Sequence, residues 1–292
     1  PGLMIFTSGN KISITGSYAK PVKELFPDEA ELLLFFLAPN SKRWAPEIID
    51  LCGYSPLAIS LTGSFLRATP EMSVDTLIRE LREERQIMKP EGDFEEGEDK
   101  DKKEIVDRNV EPIFNVMFRD MRKETATVFR KLALFSGSFD EKAAANICGD
   151  RDGEHLGRLV FLGLLEHDVI NKRYSFHEVI HKLIKAEVRP SEKILTHRTL
   201  AFYYFDILKD ANELYASDEE ALESALNLFD LDWFNIQAGQ KWSALKSTED
   251  AKIAKLCGDY CKEARILMPM RHPTDECIEW SESALTASRE SE

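Results

Sequence analysis

Three side chains near the middle of the sequence carry recognisable chemistry: His177, Glu178 and His181, in the run HEVIH. On a helix, histidines at i and i+4 face one side and can share a zinc ion, with the glutamate as general base of a peptidase. Zinc also needs a third ligand. Glu187 and Glu192 are close in sequence, but position 184 is Ile and position 187 is Glu, so neither completes the HxxGxxH extension. The preceding RYSF has strand and cap character, which places His177 at the start of the helix rather than within it. A histidine there has a second use. Helix N-termini attract anions, and an imidazole at that position can contact a phosphate. Cys257 and Cys261 are also four apart, but no His or second cysteine pair has metal-binding spacing. They read as small buried hydrophobes.

The elements that must position these residues run from Met121 to Lys185. A first helical pattern keeps Val128, Leu132 and Phe135 on one face. A second begins after Ser138, as N-cap, and carries Ala143, Ala144 and Ile147. A third carries Leu156, Leu159, Val160 and Leu164. Then LLEHDVINKRYSF reads as two short strands around an Asn-Lys turn, and Ser175 is the expected cap of the helix HEVIHKLIK. Three helices and a two-stranded wing make a winged helix-turn-helix. That motif serves both DNA readers and nucleotide-gated switches. A recognition helix needs Arg, Lys, Asn or Gln outward. The third helix offers Arg158 and His155 beside Asp152 and Glu154. Its consecutive Leu159, Val160, Phe161 and Leu162 predict that protein covers both of its faces.

Composition narrows the classes. The chain has 292 residues, enough for two or three compact units, with a formal net charge of -14. A nucleic-acid backbone is repelled by such a protein as a whole, so nucleic acid is not an expected partner. Five cysteines, Cys52, Cys148, Cys257, Cys261 and Cys277, are odd in number and scattered. Reduced thiols in a cytoplasmic setting are expected. No signal peptide is expected. Apolar runs such as LLLFFLA, Leu32 to Ala38, are too short to span a bilayer, so no membrane partner is expected.

Along the chain, Gly2 to Ser8 reads as a core strand ending in the polar turn TSGNK. A helix starts at Pro27, with Asp28 and Glu29 in its first turn and Leu32, Leu33, Phe35 and Phe36 as its expected buried face. A second helix ends at Gly53, and a third begins at Pro56. The third carries Leu57, Ile59, Leu61 and Phe65 alongside small residues, Ala58, Ser60, Gly63 and Ser64, where another element can approach closely. Residues 89–104 are charged with Gly and Pro and read as a flexible linker. Beyond residue 190 four helical patterns follow, the last two separated by Pro269 and Pro273. Trp233, Phe234, Trp242 and Trp280 are expected to pack between helices. The expected fold class is mainly α: a remnant β-strand, a helical unit, a winged helix-turn-helix, and the beginning of an α-solenoid. The corresponding regions are 1–88, the linker 89–104, 105–190 and 191–292. A core strand opening directly at Pro1 and a last helix still running at the other end give the expectation of a piece cut from a longer protein.

The order of these motifs resembles the STAND signal-transducing NTPases, and more narrowly the bacterial NB-ARC type with C-terminal tetratricopeptide repeats. The run FDLDWFNIQAGQKWSAL, Phe229 to Leu245, has the content of that family's helical segment. GYSPL, Gly53 to Leu57, matches the family's GLPL motif, with Tyr54 and Ser55 replacing its middle. The resemblance implies that Pro56 and Leu57 pack on the adenine and ribose side of a nucleotide. FHE, Phe176 to Glu178, matches the MHD motif, which implies that His177 reaches the β-phosphate of ADP in a closed, inactive state. FTSGN, Phe6 to Asn10, sits where the family has a sensor strand, which implicates Thr7 and Ser8; Gly9 stands where an arginine is usual. No G-x-x-x-x-G-K-[ST] run and no acidic Mg²⁺-holding strand end occurs in the sequence. The resemblance therefore implies a regulatory part without hydrolysis of its own. In the intact parent, ADP would give way to ATP with Mg²⁺, releasing the winged helix and driving homo-oligomerisation, while the repeats bind a protein partner.

Overall fold

The computed structural model describes Tyr18 and residues 23–87, 101–217 and 221–290. The strand expected at Gly2–Ser8, with Thr7 and Ser8, lies outside the described residues, as does most of the charged run. The protein is mainly helical and divides into two compact units, residues 1–121 and 122–292.

The first unit contains α1 (Pro27–Leu37), a 3-10 segment (Pro39–Trp44), α2 (Ala45–Leu51), α3 (Pro56–Ala68), α4 (Val74–Ile87) and α5 (Asp101–Asp120). Proline at the first helical position opens α1 and α3, where the missing N–H costs nothing. The close approach expected at Gly63 is present: a Cβ there would lie 2.7 Å from Leu37 Cβ. The buried face of α1 differs from expectation. Ala30 and Leu34 face inward, while Leu32 and Phe36 are 70% and 82% exposed. The run LLLFFL is apolar on every side, so its sequence has no phase, and packing against α3 decides which side is buried. The linker expectation also gives way at its end, because α5 begins at Asp101. This helix packs on α3 and α4 and belongs to the first unit rather than leading the winged helix. Buried Glu84 on α4 accepts from Asn115 Nδ2 (3.0 Å) and Arg119 Nη1 (2.7 Å), which ties the two helices together.

The second unit begins with α6 (Lys123–Leu132), α7 (Glu141–Ala143) continuing as a π-turn over Ala144–Cys148, and α8 (Glu154–Phe161). An antiparallel hairpin follows, β1 (Glu166–Asp168) and β2 (Arg173–Ser175), with His167 opposite Tyr174, and then α9 (Glu178–Ala186). Phe139 bridges to Tyr174 through both backbone bonds (3.0 and 2.8 Å), adding a third edge to the wing. This is the expected order of a winged helix. Its caps differ from expectation. Asp140, not Ser138, caps α7 by accepting from Ala143 N at 2.8 Å. His177, not Ser175, caps α9.

The remaining helices are α10 (Pro190–Ser217), α11 (Leu222–Lys246), α12 (Ala251–Ala264), α13 (Met268–Arg271) and α14 (Thr274–Glu290). α10 packs along α11, α11 on α12, and α12 on α14. Gly239 lets three of them meet. Tyr260 Oη on α12 donates to Ala201 O on α10 (2.6 Å) across the space where a Cβ of residue 239 would stand. Trp233 and Trp280 are buried and stacked at 5.7 Å as expected of packing residues. Phe234 is not, being 62% exposed. Among the described residues no helix is long and apolar enough to cross a membrane.

Candidate functional site

His177 stands at the N-cap of α9 with extended backbone (φ -63°, ψ 137°), and its Nδ1 accepts from Val179 N at 3.3 Å. An accepting Nδ1 leaves the proton of a neutral ring on Nε2. The exposed imidazole therefore keeps one N–H donor at the positive end of a helix, the chemistry an anion requires.

His181, one turn on, is differently engaged. Its Nε2 donates to Ala133 O at 2.7 Å, and its ring stacks on Phe176 at 5.0 Å. Burial holds its pKa below the ordinary histidine value, which keeps the ring neutral. The nearby carboxylate Glu192 is held by Nε (2.8 Å) and Nη2 (2.7 Å) of buried Arg130. The two histidines thus have separate structural tasks. Among the described residues no group of three or more His, Cys, Asp or Glu is arranged to hold a metal.

GYSPL forms the turn between α2 and α3. Gly53 and Tyr54 are both left-handed, each with φ 56°. A Cβ at residue 53 would sit 2.5 Å from Asn109 Nδ2, so the first position requires glycine. Tyr54 adopts a conformation that costs a non-glycine residue about 1 kcal/mol. Its carbonyl accepts from Leu25 N at 3.1 Å. Ser55 caps α3, leaving Pro56 exposed and Leu57 half-buried at the first turn. Pro56 and Leu57 lie in the first unit and His177 in the second.

As a DNA reader, α8 is poorly furnished. Leu156, Leu159 and Leu162 are buried, but Glu154, Gly157, Arg158 and Phe161 are exposed, so the expectation that protein covers both faces fails. The helix is amphipathic despite its apolar run, and its open face offers one arginine beside one glutamate.

One buried polar cluster was not anticipated from the sequence. Asn235 on α11 is buried and reads three backbone groups of the turn after α6. Its Oδ1 accepts from Ser136 N (2.9 Å) and Gly137 N (3.1 Å), and its Nδ2 donates to Ser138 O (2.8 Å). Beside it, Arg173 at the base of the wing donates to Ser138 O (2.6 Å), Leu231 O (3.2 Å) and the Asp232 carboxylate (2.5 Å). Both members of this ion pair are buried. Burial raises the Asp232 pKa, with the Arg173 bond opposing that rise. The wing, the α6–α7 turn and α11 are thereby joined. The available signal was two polar residues, Asp232 and Asn235, one helical turn apart in an otherwise apolar stretch of α11.

No family model matches the sequence. A 192-residue stretch is 28% identical to the Regulatory protein AfsR of Streptomyces coelicolor, covering 62% of this chain and 18% of that protein. The Regulatory protein AfsR of Streptomyces griseus is 24% identical over 200 residues, covering 65% of this chain and 19% of that protein. The chain therefore spans less than a fifth of the length of these curated relatives.

Proposed function

We propose that this chain is the regulatory part of a nucleotide-dependent signalling switch. In this reading His177 donates from Nε2 to the β-phosphate of ADP. The helices from α10 onward receive a protein partner. Exchange of ADP for ATP with Mg²⁺ releases the winged helix and permits homo-oligomerisation. The carrying observation is the capped state of His177, which commits Nδ1 to the chain and leaves one donor for an anion at a helix N-terminus. Similarity to proteins named as regulatory supports the same class. The buried network of Arg173, Asp232 and Asn235 supplies a path by which a partner on the helices would bear on the wing.

The test is ADP titration of the chain by calorimetry and thermal shift, up to about 10 mM because no P-loop grips the phosphates here. Saturable binding is expected, weakened about tenfold (~1.4 kcal/mol) in His177→Ala. Absence of any ADP-dependent heat or melting shift, or an unchanged affinity in the variant, overturns the assignment.

A further inference from the structure

Pro273 fixes the corner between α13 and α14. The residue before a proline is driven to extended backbone, and His272 follows that rule with φ -125° and ψ 153°. The corner ends α13 at Arg271 and lays the His272 ring on α11. The ring stacks on buried Trp233, with 3.6 Å between centroids, and meets Phe229 edge-on at 5.9 Å. Trp233 stacks in turn on Trp280 of α14. His272 Nδ1 lies 3.2 Å from Oε2 of Glu276, one helical turn further along the chain. That carboxylate oxygen is buried and accepts no hydrogen bond. The imidazole is thus held between an aromatic wall on α11 and a carboxylate in the first turn of α14.

We propose that His272 is a pH-sensitive latch, which fastens the α13–α14 corner to α11 near neutral pH and releases it on acidification. The charged groups that bear on the ring are Asp230 on α11, Arg271 on α13 and Glu276 on α14. Arg271 Nε binds both oxygens of Asp230 (2.9 and 3.1 Å), so those two largely cancel. Burial disfavours the charged ring and holds the His272 pKa below its ordinary 6.5; Glu276 and Asp230 oppose that fall, and Arg271 adds to it. The docked ring is therefore neutral near pH 7. Because the folded-state value lies below the unfolded one, the latch contributes fully above the unfolded value. Its contribution is lost as pH falls toward the depressed folded value. This device needs no nucleotide, so it stands apart from the switch reading above.

A local probe is required, because burial also holds His181 and His197 of the same unit below the ordinary histidine value. Hydrogen exchange of the whole chain, corrected for the intrinsic pH dependence of amide exchange, reads the α14 amides directly. Their protection should fall between about pH 7.5 and about pH 5.5. His272→Phe keeps an aromatic ring against Trp233 but cannot titrate, so the fall should disappear. Glu276→Gln removes the charge that favours the protonated ring, so the fall should deepen. Titration of the His272 ring followed by NMR should give a midpoint below 6.5. Protection that does not change with pH overturns the proposal, as does an equal fall in His272→Phe, a shallower one in Glu276→Gln, or a ring midpoint at or above 6.5.

Discussion

Replacing Asn235 by Ala tests whether α11 holds the turn at the end of α6. The substitution removes three hydrogen bonds at 2.8–3.1 Å, two from backbone N–H groups and one to a carbonyl. A typical bond contributes about 0.5–1.5 kcal/mol net, giving an upper sum near 4.5 kcal/mol. Ser136 is exposed and Gly137 and Ser138 are half-buried, so water replaces part of what is lost. A loss of about 2–3 kcal/mol is the expected result. With two compact units the whole chain does not unfold in one step, so the probe must report on the second unit. Tryptophan fluorescence is weighted to it, since Trp233, Trp242 and Trp280 lie there and only Trp44 lies in the first. At a urea slope of about 2 kcal/mol per molar, the midpoint should fall by about 1 M. Hydrogen exchange should quicken at Ser136, Gly137 and the Phe139–Tyr174 bridge. Asn235→Asp keeps the acceptor but turns a carboxylate toward Ser138 O, and should be no better than Ala. A stability loss under about 0.5 kcal/mol, typical of surface changes, refutes the role given to Asn235.

Two further perturbations follow from the same unit. The Arg130 bond is the main cause that lowers the Glu192 pKa below its ordinary 4.5. Because the folded-state value lies below the unfolded one, this contribution is complete above that range and is lost as pH falls through the depressed folded value. Glu192→Gln should therefore lower Tm near neutrality and flatten its decline between about pH 5 and 3, as read by melting at successive pH values. Gly239→Ala should cost about 1–3 kcal/mol, because the new methyl overlaps Tyr260 Oη and lies 3.2 Å from Ala201 Cα. Pairing it with Tyr260→Phe should recover part of that loss, which urea unfolding of the two variants would measure.

What the sequence made legible follows local rules. Gly53 ends one helix and Pro56 begins the next because backbone geometry at those residues depends on little else. The wing was visible because strand composition, a turn and a capped helix lie within a short stretch. The misreadings share a different physics. Ser138 looked like a cap because serine usually caps. Its carbonyl and hydroxyl are instead taken by Arg173 and Asn235, 35 and 97 residues away. In α1 the apolar run has no phase, so Leu32 and Phe36 could not be sorted from Leu34 by period. In α11 the same ambiguity hid the outward position of Phe234.

The HEVIH run separates motif from site most clearly. The spacing is that of a zinc pair, and the helix it predicts is present. What the spacing cannot encode is which group each ring meets. Ala133 O reaches His181 from the end of another helix, and Val179 N reaches His177 from within its own. Once those bonds form, each ring has a fixed tautomer, and the two no longer act as a pair. His181 becomes a neutral tie between α9 and α6, while His177 alone keeps an outward donor. Of the two rings only His177 can reach an anion at this end of α9, which makes His177→Ala a sharper test of the proposed contact than any change at His181.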